Sequence, residues 1–385
     1  MNRKKIIIAA TLILMMVLGG MWVYALLNPS IGNEGFFANF GIGNEPGNVP
    51  IGNTGVQDFE DGTEEALEVR LRQITTNPVA GATFTKSGIM YVEQGTGHIQ
   101  YINLTTGEET LLSATTIPGA YEASFSKDGE VVAITTTQDD SSKTIVATVP
   151  TASSSESLDG IALPLGATEV NVSEKSGTAY YLISTTEGSR GYAYSIAKKT
   201  STELFSIPLR DVHVLWGEPV YVYTTPTHTQ VGYVYELEGS EMRYVTEGEV
   251  GLMAFRYGNE AVVTKKVSGT TGGYFWLSSI EATAEEISLG GPVIPEKCVS
   301  FETDFWCAVP ENIDSEFPDS WYKGTVSLSD SLWRITASGE SATVESNFFA
   351  ESGRQIDVLK IGIDSFGTYL YLINKNDNTL WLYRL

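Results

Sequence analysis

The sequence predicts an all-β chain. The expected form is a seven-bladed β-propeller closed by an N-terminal outer strand, preceded by one transmembrane helix and a disordered linker. Three observations lead there. The stretch Phe125–Ile134, FSKDGEVVAI, sets a pattern of apolar residue, polar turn, Gly and alternating apolar strand, and degenerate copies recur to the C-terminus. Strand and turn formers are abundant, with 38 Gly and 19 Tyr in 385 residues, and no long Ala/Leu/Glu/Lys run follows the N-terminus. The two ends of the repeat region also complement each other as strands.

Taken in order, residues 1–5 form a basic tail with Arg3, Lys4 and Lys5. Residues 6–27 are uncharged. At ~1.5 Å per residue they reach roughly 33 Å, enough for a ~30 Å hydrocarbon core. The next cation is Arg70, so the charge asymmetry places the N-terminus in the cytoplasm and the remainder outside. A signal anchor is favoured over a cleaved signal peptide, although Val23-Tyr24-Ala25 is a passable cleavage site, because the run exceeds the usual ~7–15 residues of such signals. Residues 28–65 read as a flexible, acidic linker rich in Gly, Asn and Pro, which buries too little to offset its ordering entropy.

The propeller is expected over residues 66–385. Its turn markers are Gly88, Gly129, Gly177, Gly217, Gly258, Asp304 and Gly367, with steps of 41, 48, 40, 41, 46 and 63 residues. Four-stranded blades run about 40–45 residues, so seven markers imply seven blades, with an insertion in or after the sixth. In the first copy the strands are expected at Val79–Thr85, Ile89–Glu93, His98–Asn103 and Glu108–Ser113. The last copy ends after its third strand, near Leu380–Leu385. Leu67, Val69 and Leu71 alternate with Glu68, Arg70 and Arg72, so Leu67–Thr75 is expected to supply the missing outer strand. Closure of that kind removes free sheet edges. A ring of six or eight blades, or an open stack, is the competing arrangement.

The Ser126, Asp128 and Gly129 turn resembles the short repeat of the TolB-type, WD40-like (PD40-like) propellers, in which an S-x-D-G turn precedes an apolar strand. Phe84–Glu93 matches in part. The Gly-His and Trp-Asp pairs of true WD40 repeats are missing, and so is a sialidase box. The resemblance covers residues 67–385 as architecture and implies a membrane-anchored, bacterial-type extracytoplasmic protein. In TolB-like proteins the propeller binds other envelope proteins, which tilts the expectation toward protein interaction.

The formal net charge is −23, which disfavours nucleic acid as a partner. Cys298 and Cys307 flank a turn on the first two strands of the sixth copy and are expected to form a disulfide. The insertion, residues 311–330, carries the candidate interaction residues Glu316, Phe317, Asp319, Trp321 and Tyr322. Trp and Tyr on a long loop suit an interface anchor. The alternatives are a loop packed down on its blade, or acids that hold Ca²⁺, though without EF-hand spacing. His98, His213 and His228 fall in three separate copies, and no catalytic motif stands out. No catalytic residue, metal ligand or cofactor is therefore expected. The expected function is a non-catalytic, membrane-tethered scaffold, single-pass in the cell membrane, that binds an extracytoplasmic protein or cell-wall component. The alternative is a surface hydrolase or lyase for carbohydrate or peptide, with groups converging at one mouth of the channel.

Overall fold

The computed structural model describes residues 69–385 except 151–156, 174–176, 246–247, 258–259, 267–274, 280–286, 290 and 337–340. Among the described residues there are seven four-stranded antiparallel sheets, whose strands follow in chain order in all but the last, and one two-stranded sheet that pairs Val231–Gly232 with Glu249–Val250. Blade 1 comprises Val79–Phe84, Gly88–Glu93, Ile99–Asn103 and Glu109–Ser113. Blade 2 comprises Glu122–Phe125, Val131–Gln138, Ser141–Thr148 and Gly160–Ala162. Blade 3 comprises Ala167–Val172, Thr178–Ser184, Ser189–Ser195 and Thr200–Ile207. Blade 4 comprises Val212–Leu215, Val220–Thr224, Val234–Glu238 and Glu241–Tyr244. Blade 5 comprises Met253–Tyr257, Glu260–Lys266, Phe275–Ser279 and Ile287–Leu289. Blade 6 comprises Cys298–Phe301, Asp304–Pro310, Asp330–Thr336 and Ala342–Asn347. Blade 7 comprises Val358–Ile363, Tyr369–Asn374 and Leu380–Arg384, with Leu71–Gln73 as its fourth strand.

The turn chemistry explains why the repeat forms hairpins. Ser126 is fully buried, and its hydroxyl accepts from the Val131 amide at 3.0 Å while donating to Asp128. Asp128 accepts the Glu130 amide at 3.1 Å, and Gly129 takes a left-handed φ of 75°. A Cβ at Gly129 would also lie 2.5 Å from the Met90 side chain. In blade 7, Asp364 receives the Thr368 and Tyr369 amides and Gly367 turns the chain with φ 65°. Blade 6 departs from the pattern, because Glu302 rather than Gly occupies the left-handed position.

Side chains of facing sheets fill the space between blades. Met90 and Val92 of blade 1 meet Ala123, Val132 and Ile134 of blade 2. Similar clusters join blades 2 and 3, 3 and 4, 4 and 5, 5 and 6, and 6 and 7. A further cluster, including Phe84 and Ile89 with Ile373, Leu380 and Leu382, joins blade 7 to blade 1. The inner strands of blades 1 and 2 approach so closely that a Cβ at Gly81 would sit 2.1 Å from the Ala123 carbonyl oxygen.

The expected fold class is corrected at the N-terminal side. In place of a nine-residue closing strand over Leu67–Thr75, three residues pair, with Leu71 opposite Tyr383, Arg72 opposite Leu382 and Gln73 opposite Trp381. Val69 lies outside the strand and is 70% exposed. The physical reason is that Leu71 alone inserts into the core, beside Phe348 of helix α2 (Phe348–Ser352) and Tyr383. Packing between faces therefore carries more of the junction than the short ladder does.

The expected membrane attachment is corrected as well. No helix among the described residues is long and apolar enough to cross a membrane. The basic tail 1–5, the expected anchor 6–27 and the linker 28–65 lie outside the described residues. A membrane-tethered scaffold, single-pass with a cytoplasmic N-terminus and an extracytoplasmic propeller, is not carried forward.

Candidate functional site at the capped channel mouth

The insertion leaves blade 6 between its second and third strands and contains the short helix α1 (Asp319–Tyr322). Sequence reasoning left its aromatics either as interface anchors or packed down on the blade. Phe317 and Trp321 are 4% and 3% exposed. They pack with Leu328 on Met253, which begins the inner strand of blade 5, and on Ile294, just before blade 6. Leu359 at the start of blade 7 borders the same cluster. The insertion thus folds over the end of the ring at which the inner strands begin.

A buried polar network pins it there. The Lys297 ammonium, with no exposed surface, donates to Asp330 at 2.7 Å and to Asp357 at 2.6 Å. The Trp321 indole donates to Asp357 at 2.9 Å, and Lys375 donates to the Trp321 carbonyl. Lys297 and Lys375 lie 5.1 and 4.0 Å from the Trp321 ring centroid. Burial pushes the Asp330 carboxyl up to about 6, with Asp357 adding to the rise, although Lys297 and the Val358 amide oppose it.

Of the other candidate residues, Asp319 reaches blade 4. It accepts the His228 amide at 2.6 Å and the His228 Nδ1 at 2.8 Å. Burial acts to raise the Asp319 pKa, yet these bonds and Lys323 hold it below the usual carboxylate range. Glu316 is exposed and apart from this contact. Tyr322 points the other way, into the ring, where its hydroxyl donates to Glu296 at 3.1 Å.

Tyr322 closes a cluster that sequence reasoning did not assemble. Glu169 sits on a β-bulge in the inner strand of blade 3, with a φ of 50°. Its carboxylate accepts from His213 Nδ1 at 3.1 Å and from the Val214 amide at 3.2 Å. Its carbonyl accepts the Trp216 indole at 2.7 Å. A carboxylate accepts only, so the Nδ1 of His213 carries the proton and Nε2 is left for another partner. The Tyr223 ring stacks on His213 with centroids 5.0 Å apart, and Tyr322 lies 6.2 Å away at a tilt. The Tyr223 side chain is buried, 3% exposed.

The electrostatics are those of a carboxylate-rich site. Burial acts to lower the His213 pKa, but the bond and charge of Glu169, with Glu296, outweigh it and raise it. Burial raises that of Glu296, and Glu169 adds to the rise, against its backbone bond, His213 and Tyr322. Burial and the nearby carboxylates hold the Tyr223 and Tyr322 phenols well above their ordinary value. Both tyrosines are therefore donors at neutral pH. Among the described residues no Lys or Arg pairs with Glu169 or Glu296, and no group of three His, Cys, Asp or Glu could hold a metal ion. Elsewhere on the inner strands, Lys360 of blade 7 pairs with Glu122 of blade 2 at 3.0 Å.

The Cys298–Cys307 disulfide forms as expected, across a cross-strand pair with Cα atoms 4.1 Å apart.

Fold and cluster together define a β-propeller with a capped, polar and aromatic channel mouth. No family model matches the chain, and no curated protein matches it. Solved structures do. The β-propeller domain of the Trilobed protease from Pyrococcus furiosus is 11% identical with a TM-score of 0.55, over 80% of this chain and 95% of that one. Oligogalacturonate lyase from Vibrio parahaemolyticus is 11% identical with a TM-score of 0.56, over 85% and 96%. Pyrococcus horikoshii acylaminoacyl peptidase gives 11% and 0.54 over 80% of this chain, which spans 51% of that protein's chain. At such identities the likeness is one of fold alone. The TolB-type resemblance is corrected accordingly. The S-x-D-G turn is, in this chain, a local hairpin device and does not by itself define a family.

Proposed function

We propose that the chain is a ligand-binding propeller whose site is the capped channel mouth formed by Glu169, His213, Tyr223, Glu296 and Tyr322. The observation that carries this reading is the convergence of polar side chains from separate blades and the insertion: Glu169 accepts from His213 Nδ1 at 3.1 Å and Glu296 from the Tyr322 hydroxyl at 3.1 Å, beside the Tyr223 ring. A few polar groups gathered on an aromatic-walled surface are the usual make-up of a ligand site. The insertion serves as a wall and not as a docking arm, because Phe317 and Trp321 are spent on its own anchorage. The reading is of binding without turnover.

A thermal-shift screen of small polar compounds tests this. Amines, amino acids, sugars and carboxylic acids should include some that raise the melting temperature of the unmodified chain. Those shifts should be lost in Tyr223→Phe and Glu169→Gln. Shifts that persist undiminished in both variants would place the site elsewhere.

A further inference from the structure

Lys297, Asp330 and Asp357 bring an amine and two carboxyl groups together in an enclosure, and none of the three has exposed surface. The apolar cluster of Met253, Ile294, Phe317, Trp321 and Leu328 lies beside them. The Lys297 Nζ is within hydrogen-bond distance of both Asp330 oxygens, 3.0 Å from Oδ1 and 2.7 Å from Oδ2. A nitrogen that reaches both oxygens of one carboxyl also lies close to the carbon between them. The Val358 amide donates to Asp330 Oδ2 at 2.7 Å. Asp357 is held from other directions. The Trp321 indole donates to its Oδ1 and the Leu328 amide to its Oδ2, each at 2.9 Å, and Oδ1 faces Lys297 at 2.6 Å.

Desolvation penalises both members of an ion pair, so such an enclosure favours a reaction that removes the two charges together. Lys375 brings a second ammonium, 4.0 Å from the Trp321 ring centroid. Burial lowers the Lys375 pKa and the charge of Lys297 adds to the fall, against Asp357 and Asp330. Loss of the Lys297 and Asp330 charges would leave Lys375 and Asp357 as a matched pair.

We propose that Lys297 and Asp330 condense to an intramolecular isopeptide bond, with Asp357 as the acid–base group of the reaction. The inference goes beyond the channel-mouth reading and does not depend on it. Before the bond forms, the three groups are the ion pair described above. Asp330, whose carboxyl burial pushes up to about 6, takes one proton from the Lys297 ammonium. The freed Nζ lone pair attacks Asp330 Cγ, and the Nζ–Cγ bond forms. The charge that develops on Oδ2 meets the Val358 amide. Asp357 takes a proton from Nζ and passes it to the Asp330 hydroxyl. The Cγ–Oδ1 bond breaks with its electron pair, and the oxygen leaves as water. Ammonium and carboxylate thus become amide and water, Asp357 returns to its starting form, and nothing is oxidised or reduced. Reactants held in this way reach effective concentrations of about 10⁵–10⁸ M, which offsets the cost of amide formation. The bond joins residues 33 positions apart. It closes a loop that contains the Cys298–Cys307 disulfide and the insertion, and fixes the end of the insertion to the start of blade 6.

The test is intact mass spectrometry of the full chain, denatured and reduced. Set against Lys297→Arg, and allowing for the substitution, the native chain should be lighter by one water. Fragmentation should place the loss on a branched peptide joining Lys297 to Asp330, which distinguishes it from succinimide formation within one peptide. Asp357→Asn should keep the full mass. Asp330→Asn should give the same branched peptide, by loss of ammonia in place of water. Circular dichroism shows which variants fold, and where one does not, the mass of the native chain still decides. A folded native chain of full mass, or a water lost without a branched peptide, would overturn the proposal and leave an ion pair only. A branch to Asp357 would overturn Asp330 as the reacting carboxyl, and a bond formed in folded Asp357→Asn would overturn the acid–base role.

Discussion

Replacing Lys297 by Met should leave Asp330 and Asp357 facing each other without a cation. In the native chain the ammonium reaches both carboxylates within 2.7 Å, and all three groups are fully buried. Removing one member of such a set costs about 3–5 kcal/mol, because the remaining charges stay desolvated. That is a large part of the ~5–15 kcal/mol by which domains are stable. The loss should depend on pH, since the carboxyls can escape by protonation. Asp330 already stands at about 6 with the lysine present, above its unfolded value near 3.8. A carboxyl raised in this way contributes stability that is fully present below the unfolded value and is lost as pH rises through the folded one. Without Lys297 the folded value rises further. Urea unfolding at pH 7.5 should therefore show the full loss, and at pH 5 a loss smaller by roughly 1–3 kcal/mol. A loss below about 1 kcal/mol at pH 7.5, or one equal at both pH values, would refute the claim that this cation holds the insertion to the ring.

Gly81→Ala should separate the inner strands of blades 1 and 2, because the new methyl meets the Ala123 carbonyl; a loss of roughly 1–3 kcal/mol in denaturant unfolding is expected. Cys298→Ser with Cys307→Ser should cost about 2–3 kcal/mol by the chain-entropy estimate for a short loop, and dithiothreitol should do the same to the native chain. His213 should titrate above 6.5 in NMR spectra, and Glu169→Gln should bring it below that value, since burial would then act without its carboxylate. As the folded value of His213 is raised, its contribution to stability is present below 6.5 and fades as pH rises through the folded value. Asp319→Asn should weaken the tie between the insertion and blade 4, seen as faster amide exchange at His228.

Much of the blade-level structure was legible because hairpin formation is local. The strand boundaries of blade 1 follow from alternation and from turn residues that sit within a few positions of one another, and the Ser126, Asp128 and Gly129 turn is complete within six residues. The Cys298–Cys307 pairing was legible for the same reason, both residues lying on one hairpin. The channel mouth was not. Glu169 and His213 are 44 positions apart, and Tyr322 meets Glu296 from an insertion whose course no periodicity describes. The direction of Trp321 stayed open in the sequence because its partner Asp357 is 36 residues away and an amphipathic ring fits a core or an interface equally well.

What the amino-acid order determined alone is a succession of short antiparallel hairpins, an acidic surface and one cross-strand disulfide, since each depends on neighbours in the chain. What only the tertiary structure decided is where the insertion lies and which ionisable groups share a space. Those outcomes arise from packing one blade against another, and the charges that meet there belong to strands that no local rule connects.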